Sequence, residues 1–214
     1  MKNITFVLGY YGSGKSEVSI NLALNNKTKY LVDLDIVNPY FRSREVSKLL
    51  NKHNIRVISS DCKEANFLDM PYISKDAWLP LSDYHHKTIY DIGGSDVGAK
   101  VLRQFDINYE HTNIWFVINV FRPETSTVQK ILEVMYAIEK SSGYKVTGLI
   151  NNSNLLSKTT TNDIVYGQNI ISEVSRISKI DFILTTYDKD IKIDHSKIKG
   201  KTMKLALHLT KNKI

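Results

Sequence analysis

Near its start the chain reads Gly9-Tyr10-Tyr11-Gly12-Ser13-Gly14-Lys15-Ser16, a glycine-rich stretch that ends in a lysine and a serine. The apolar, β-branched run at residues 4–8, just before it, is typical of a buried strand. The apolar residues that follow it, within residues 18–24, suit a helix that packs on a sheet. The glycines are therefore expected at a turn that leads from a strand into a helix.

The spacing G-x-x-x-x-G-K-S is that of the phosphate-binding loop, or Walker A motif, of nucleotide hydrolases. Glycines let backbone N–H groups approach phosphate oxygens, and the positive N-terminal end of the following helix faces the same anion. Lys15 can reach the β- and γ-phosphates, and the Ser16 hydroxyl can bind Mg²⁺. We therefore predict that a nucleotide contacts seven residues here: Tyr11, Gly12, Ser13, Gly14, Lys15, Ser16 and Glu17.

The composition is that of an ordinary globular protein, with 214 residues of which 42% are hydrophobic and 24% are charged. The one cysteine, Cys62, can form no internal disulfide and cannot hold zinc or an iron–sulfur cluster without other ligands. Residues 1–3 lead directly into the first predicted strand and leave no room for a signal peptide. No apolar run approaches the length that spans a membrane. The single cysteine fits a reducing, cytoplasmic setting, which we expect for this protein.

The net charge of +7 comes mainly from the C-terminal segment, residues 189–214, which holds eight lysines against Asp190 and Asp194. The rest of the chain is nearly neutral. A solvated, lysine-rich tail is the favoured interpretation, and a basic contact for an acidic partner is the alternative. Binding to nucleic acid or to a membrane stays open but is not favoured.

The rest of the chain alternates strand-like apolar runs with longer segments of helical periodicity. That alternation predicts parallel strands joined by crossover helices, and so one three-layer α/β/α phosphate-loop NTPase domain with a mostly parallel sheet over residues 1–214. The predicted strands after the first span residues 29–35, 55–58, 88–94, 112–121, 145–150 and 180–184. Three helices are predicted from their ends. The first is capped by Ser43, the second is ended by Gly143, and the third is capped by Asn162 or Asp163.

Asp91 comes near the end of the strand predicted at residues 88–94 and is followed by two glycines. In phosphate-loop enzymes an aspartate at such a strand end holds the Mg²⁺ shell, and Asp91 fits that task. Gly94 or Gly93 can offer a backbone N–H to the γ-phosphate and so sense its presence. The alternative is that Asp91 caps a helix that begins near Ser95.

Two segments leave alternatives open. Residues 60–84 are rich in aromatic residues and broken by two prolines, with a short helix expected at residues 74–79. They form either a functional lid or partner surface, or a packed crossover that covers the sheet. Residues 201–209 are either a basic amphipathic membrane helix or a half-buried strand, and apolar residues at every second position favour the strand.

The motifs in this order resemble the SIMIBI group of phosphate-loop NTPases, which includes MinD, ParA, the nitrogenase iron protein and the CobB/CobQ amidotransferases. After the phosphate loop come an acidic pair, Asp33 and Asp35, in the first switch position and residues 91–94 in the second. Residues 123–128 are similar to the Pro-Glu-x-Ser segment of MinD. Residues 148–153 look like the adenine-contacting strand end of the iron protein.

The resemblance implies roles for single residues. Lys15 and Asp35 would be catalytic, with Asp35 orienting the attacking water, and Ser16, Asp35 and Asp91 would hold Mg²⁺. Asn152 occupies the base-binding position. Asp33 is expected to point to the opposite side from Asp35 if the strand continues that far, so that the two acids are not equivalent.

The chain also departs from this group. Many members carry a second lysine just after the first loop glycine, which reaches the nucleotide of a dimer partner, but Tyr10 stands at that position here. A homodimer stays open, although activation by that lysine is not expected. Cys62 alone cannot hold a cluster of the iron-protein kind.

Three functions follow from the sequence. The favoured one is an ATP-hydrolysing switch that uses ATP and Mg²⁺ and whose conformational change is read by an unidentified protein partner. The second is an ATP-dependent ligase or kinase of the CobB or dethiobiotin-synthetase kind, with a small acid bound by arginines such as Arg42, Arg44, Arg103 or Arg122. The third is a nucleotide-gated adaptor that binds DNA or a membrane through its basic end.

ATP is predicted over GTP from the strand end at residues 151–154. Guanine recognition in this broad class usually needs an aspartate at that place, whereas this stretch reads Asn-Asn-Ser-Asn. An asparagine amide can both accept a hydrogen bond from adenine and donate one to it. The alternative is that these asparagines form only a turn.

Overall fold

The computed structural model describes residues 1–35, 43–59 and 73–209, without the side chains of residues 43–45 and 83. Within these residues the chain forms one eight-stranded sheet, in which every pairing is parallel. The strands are β1 Ile4–Gly9, β2 Tyr30–Leu34, β3 Arg56–Ser59, β4 Thr88–Ile92, β5 Thr112–Ile118, β6 Gly148–Asn151, β7 Phe182–Asp188 and β8 Thr202–Leu205. The helices are α1 Lys15–Asn26, α2 Ser43–Lys52, α3 Leu79–Asp83, α4 Asp96–Ala99, α5 Val128–Ser142 and α6 Thr161–Ser178.

The strand order is β3-β2-β4-β1-β5-β6-β7-β8, so β1 lies in the middle of the sheet. Successive side chains of a strand point to opposite faces. On β1, Phe6 and Leu8 belong to one apolar cluster with residues of α5 and α6, whereas Val7 belongs to a second cluster with residues of α1 and α2. The predicted three-layer architecture with a mostly parallel sheet is therefore confirmed.

This topology brings the functional candidates together. Because all strands run in parallel, their carboxyl ends lie at one edge of the sheet, where open α/β sheets bind ligands. The phosphate loop follows β1 there, between the ends of β4 and β5. Strand β4 separates β1 from β2, and the register pairs Asp33 of β2 with Asp91 of β4.

The helix and strand ends differ from the sequence predictions at a few places. Helix α6 is capped by Thr160, whose side chain forms a reciprocal capping box with Asp163, so the predicted cap at Asn162 or Asp163 is wrong by two or three residues. Gly143 ends α5 as predicted, with a φ of 81°. Strand β7 continues to Asp188, beyond its predicted end at residue 184, which places Asp188 at the carboxyl edge of the sheet.

The described part of the aromatic segment is a packed crossover. Residues 60–72 lie outside the described residues, and after them a 3₁₀ turn at Lys75–Trp78 leads into α3. Trp78 stacks on Phe105 with ring centroids 4.8 Å apart, and the buried Tyr90 hydroxyl donates to the Ala77 carbonyl over 2.7 Å. Residues 73–84 thus cover the sheet, as the second of the two interpretations predicts.

The C-terminal segment enters the sheet. Residues 202–205 form β8, so the strand interpretation is confirmed for them and the membrane-helix alternative is wrong. Residues 206–209 leave the sheet and lie against α1, where Asn21 and Glu17 bind their backbone. Among the described helices, none combines the length and apolar character that a membrane crossing needs.

Candidate functional site

The phosphate loop joins β1 to α1, as the sequence predicts. Gly12 and Gly14 have φ values of 75° and 84°, in the left-handed region that favours glycine. The Ser13 N–H closes the turn by donating to the Tyr10 carbonyl over 3.0 Å. No side chain caps α1 at Gly14, so no capping side chain binds the first N–H groups of this helix. A helix that begins this way can bind an anion through its first N–H groups.

Two side chains hold neighbouring carbonyls of the loop. Arg122 Nε donates to the Gly12 carbonyl over 2.9 Å, and Asn152 Nδ2 donates to the Ser13 carbonyl over 2.7 Å. These two hydrogen bonds support the loop backbone from outside. When the backbone N–H groups of a loop are held in place beforehand, they bind the charge of a phosphate without having to rearrange first.

Lys15 lies within the site and not in solvent. Its Nζ is 3.6 Å from Asp35 Oδ2, and the two side chains are only 4% and 9% exposed. Gly94 packs against the same group, because a Cβ built on Gly94 would lie 3.0 Å from Lys15 Nζ and 3.0 Å from the backbone N of Tyr11. Thus β2, β4 and the phosphate loop converge at the Lys15 ammonium.

Asp91 is buried behind this pair. Its Oδ1 lies 3.2 Å from Ser19 Oγ, on the turn of α1 that follows Lys15. Burial raises the pKa of Asp91 to about 7, Lys15 opposes that rise, and the carboxylates of Asp33 and Asp35 add to it. The charge of Lys15 therefore does not fully offset the cost of burying the Asp91 carboxylate in its charged form.

The Ser16 hydroxyl lies beside Asp91 and suits a bound cation. It is close enough to Asp91 to lower the pKa of that carboxyl, yet no hydrogen bond of normal geometry joins Ser16 Oγ to any described residue. Hard oxygen donors such as this hydroxyl and the nearby carboxylates suit Mg²⁺. The described residues contain no group of three or more His, Cys, Asp or Glu side chains that could hold an ion alone. These residues fit an Mg²⁺ ion that arrives with phosphates, because Mg²⁺ is usually bound by one or two carboxylates plus substrate.

Asp33 and Asp35 both lie near Asp91, because both carboxylates raise its pKa. Strand β2 ends at Leu34, so Asp35 lies just beyond the strand and the condition on which the two acids were expected to point to opposite sides is not met. Asp33 Oδ1 accepts a hydrogen bond from the Asp35 N–H over 3.1 Å.

The helix-cap alternative for Asp91 is also wrong. Helix α4 is capped by Ser95, whose hydroxyl accepts from the Gly98 N–H over 3.0 Å. Arg103 is removed from the candidates for binding a small acid, because it donates to the Ser141 and Lys140 carbonyls in the last turn of α5. Arg42 and the side chain of Arg44 lie outside the described part of the structure.

A pocket of about 230 Å³ opens beside the phosphate loop. The loop contributes Gly12 and Gly14, and the ends of β6 and β7 contribute Asn152 and Asp188. The remaining lining residues are Glu17, Arg122, Asn154, Leu156, Thr159, Tyr187, Leu205, Leu207 and Leu209. Asp188, Tyr187 and the three leucines were not among the predicted site residues. Their place in the pocket depends on β7 extending to Asp188 and on the course of the chain after β8.

Two predicted nucleotide contacts have protein partners in this structure. Asn152 is 3% exposed, its amide nitrogen binds the Ser13 carbonyl, and its Oδ1 accepts from Thr186 Oγ1 over 2.6 Å. The Glu17 carboxylate accepts from two backbone N–H groups of residues 208 and 209. A contact of either side chain with nucleotide stays a prediction. Tyr11, which belongs to the loop itself, is by contrast 62% exposed.

Comparison with known proteins gives structural matches alone. No protein-family model and no curated protein matches the chain. Cell division protein ftsY from Thermotoga maritima superposes with a TM-score of 0.58 at 16% identity, over 89% of this chain and 63% of that one. The signal recognition particle receptor FtsY from Elizabethkingia anophelis gives a TM-score of 0.52 at 15% identity, over 92% and 62%. The same receptor in complex with GDP gives 0.50 at 15% identity, over 87% and 57%.

The chain shares the fold of these FtsY structures. The resemblance inferred from the motifs is thus confirmed at the level of the fold alone. The chain spans about three fifths of the length of the FtsY structures it matches. At such low identity the likeness concerns the fold, and the chemistry has to be argued from the residues of the P-loop site itself.

Proposed function

We propose that this chain is a Mg²⁺-dependent nucleoside triphosphatase that acts as a nucleotide switch for a protein partner still to be identified. The observation that carries the proposal is the convergence of Lys15, Asp35 and Asp91 at one phosphate loop. A cation for phosphate, an acid able to orient water and a buried acid beside the loop serine are the groups that this chemistry needs. Their positions at the ends of β1, β2 and β4 support it.

Phosphate binding begins from the Lys15–Asp35 pair. Phosphate oxygens compete with Asp35 for the Lys15 ammonium, and the loop N–H groups and the start of α1 add their donors. Asp35, released from Lys15, is then able to accept a hydrogen bond from a water and place it in line with the γ-phosphate. The pair thus keeps the charge of both groups compensated until the nucleotide arrives.

The cation would be held by Ser16 and Asp91. When bound, Mg²⁺ would neutralise the charge of the phosphates. The backbone N–H of Gly94, which lies close to the Lys15 ammonium, would be a donor for the γ-phosphate and would lose this partner when the phosphate leaves. A change that begins at Gly94 would reach the partner through the segment that follows β4.

ATP is the proposed nucleotide, on the argument that residues 151–154 carry no acid. GTP is the second candidate, because Asp188 lines the pocket from the adjacent strand. A carboxylate can accept hydrogen bonds from the N1 and N2 positions of guanine, whereas adenine has no N–H at its N1 position.

The proposal is tested by phosphate release with purified protein. Wild-type protein with ATP or GTP should release phosphate when Mg²⁺ is present and stop when EDTA removes it, and the Lys15→Ala variant should release none in either case. Because a switch can be slow without its partner, single-turnover conditions with excess protein are the appropriate measurement. Wild-type protein that binds neither nucleotide by calorimetry would contradict the proposal.

A further inference from the structure

We propose that Glu17 is a positioning residue that fastens residues 205–209, here called the C-terminal strap, so that the strap forms one wall of the nucleotide pocket. This inference rests on the proposed function and names a role that the phosphate-loop motif does not assign. It also replaces the predicted contact between the Glu17 side chain and nucleotide with an indirect one.

The contacts of Glu17 carry the inference. Its Oε2 accepts from the His208 N–H over 3.0 Å, and its Oε1 accepts from the Leu209 N–H over 2.6 Å. Glu17 is 7% exposed. Hydrogen bonds to an ionised acceptor are among the stronger ones in proteins. Both carboxylate oxygens therefore hold the strap.

Asn21 continues this attachment one turn further along α1. Its Nδ2 donates to the Ala206 carbonyl over 3.0 Å, and its Oδ1 accepts from the Ala206 N–H over 2.8 Å. Residues four apart lie on one face of a helix, so Glu17 and Asn21 present a row of side-chain partners. Strand β8 is the last strand of the described sheet. Beyond β8, the strap backbone therefore forms hydrogen bonds with this row of side chains and not with a further strand.

The strap also packs its apolar side chains on the structure. Leu205 and Leu209 belong to the same apolar cluster as Val18 and Leu22 of α1. Leu205, Leu207 and Leu209 line the pocket together with the loop residues Gly12 and Gly14, whereas Lys15 and Ser16 are not among its lining residues. Because Lys15 and Ser16 are proposed to receive the phosphates, this pocket is the proposed place of the nucleoside, and the strap forms part of its wall.

Glu17 follows Ser16 directly and so links the two halves of the site. Its backbone belongs to the first turn of α1, which begins at Lys15, and its side chain holds the strap. Removing the carboxylate would leave two N–H groups without their acceptors, at a cost comparable to that of a lost buried hydrogen bond. The pocket wall would then loosen while the phosphate loop stays in place.

Binding of two probes tests this separation. Glu17→Ala should weaken binding of the Mg²⁺ complex of ATP by about tenfold or more, while binding of inorganic tripolyphosphate, which has no nucleoside, stays unchanged. Glu17→Gln keeps one acceptor and should lie between. Asn21→Ala should reproduce the pattern, and Asn26→Ala is the matched control, since Asn26 donates to the Leu22 carbonyl within the same helix.

A second readout needs no nucleotide. Limited digestion with trypsin should cut after Lys204 faster in Glu17→Ala and Asn21→Ala than in wild type and Asn26→Ala. Equal losses of ATP and tripolyphosphate binding in Glu17→Ala would place Glu17 among the phosphate ligands and overturn the inference. So would unchanged ATP binding, or unchanged digestion at Lys204. If wild type binds neither probe, the proposed function fails, and the digestion alone still decides whether Glu17 holds the strap.

Discussion

Lys15 Nζ lies 3.6 Å from Asp35 Oδ2, and both side chains are almost fully buried. A phosphate must therefore displace the Asp35 carboxylate from the ammonium before it can bind there. Removing the carboxylate removes this competition and also the group proposed to orient the attacking water.

We accordingly expect Asp35→Ala to bind the Mg²⁺–ATP complex at least as tightly as wild type and to lose most hydrolysis. Loss of such positioning can slow a reaction by about a hundredfold or more. Calorimetry and single-turnover hydrolysis separate the two effects. Asp33→Asn is the matched control, because an asparagine oxygen can still accept from the Asp35 N–H. Hydrolysis by Asp35→Ala at the parent rate, with a stimulating partner supplied, would show that Asp35 has another role.

Gly94 packs on the phosphate loop so closely that its neighbours would have to shift to admit a methyl group. A Cβ there would lie 3.0 Å from the backbone N and Cα of Tyr11 and from Lys15 Nζ. Gly94→Ala should push the loop aside and weaken triphosphate binding by about tenfold. Its thermal unfolding temperature should fall by only a few degrees. Unchanged affinity in calorimetry would mean that the loop tolerates this shift.

Asp91 links the site to the pH dependence of stability. Burial raises its pKa from the ordinary value of 3.8 to about 7 in the folded protein. A carboxyl with a raised folded-state pKa contributes stability that is fully present below about pH 4 and is lost as the pH rises through about 7. Asp91→Asn stays neutral, so its unfolding temperature should rise relative to wild type between pH 5 and pH 8, in EDTA and without nucleotide.

The same variant should lose part of the Mg²⁺ dependence of nucleotide binding, because an amide oxygen replaces a carboxylate in the proposed metal shell. A titration of ATP at several Mg²⁺ concentrations measures this loss. Stabilisation together with weakened Mg²⁺-dependent binding is the expected pair of results. An unfolding temperature that tracks wild type at every pH would contradict the burial argument for Asp91.

Asp188 decides between the two candidate nucleotides. If ATP is the substrate, wild type binds ATP more tightly than GTP, and Asp188→Asn changes ATP affinity by less than about threefold. If Asp188 reads guanine, wild type prefers GTP, and the variant loses about tenfold or more of that affinity, as expected when a buried polar partner is removed. Competition of both nucleotides against a fluorescent analogue gives the ratio directly.

Local patterns in the sequence were enough to predict the central part of the fold. Three neighbouring stretches of the chain each indicate their own local structure. They are the apolar residues of β1, the glycines of the loop and the apolar residues of α1. Asp35 and Asp91 were found because parallel strands bring their carboxyl ends to one edge. Strand β7 was cut short at residue 184 because Thr185 and Thr186 are polar, although both are buried.

Contacts between distant residues were beyond such reasoning. Asn152 reaches Ser13 across 139 positions, and Glu17 reaches Leu209 across 192. An asparagine at a strand end and a glutamate in a first helical turn each suit several roles. The packing of β6 against β5 and of the C-terminal strap against α1 selects one of them.

The central claim is that Lys15 holds the phosphates of a nucleoside triphosphate, and calorimetric titration of wild type and Lys15→Ala with the Mg²⁺ complexes of ATP and GTP tests it most directly. The account predicts saturable binding of at least one nucleotide by wild type. It predicts no measurable binding by Lys15→Ala, with a circular dichroism spectrum that matches wild type, because the lysine neutralises phosphate charge and contributes little to the core. Unchanged affinity in a folded Lys15→Ala variant would contradict the account.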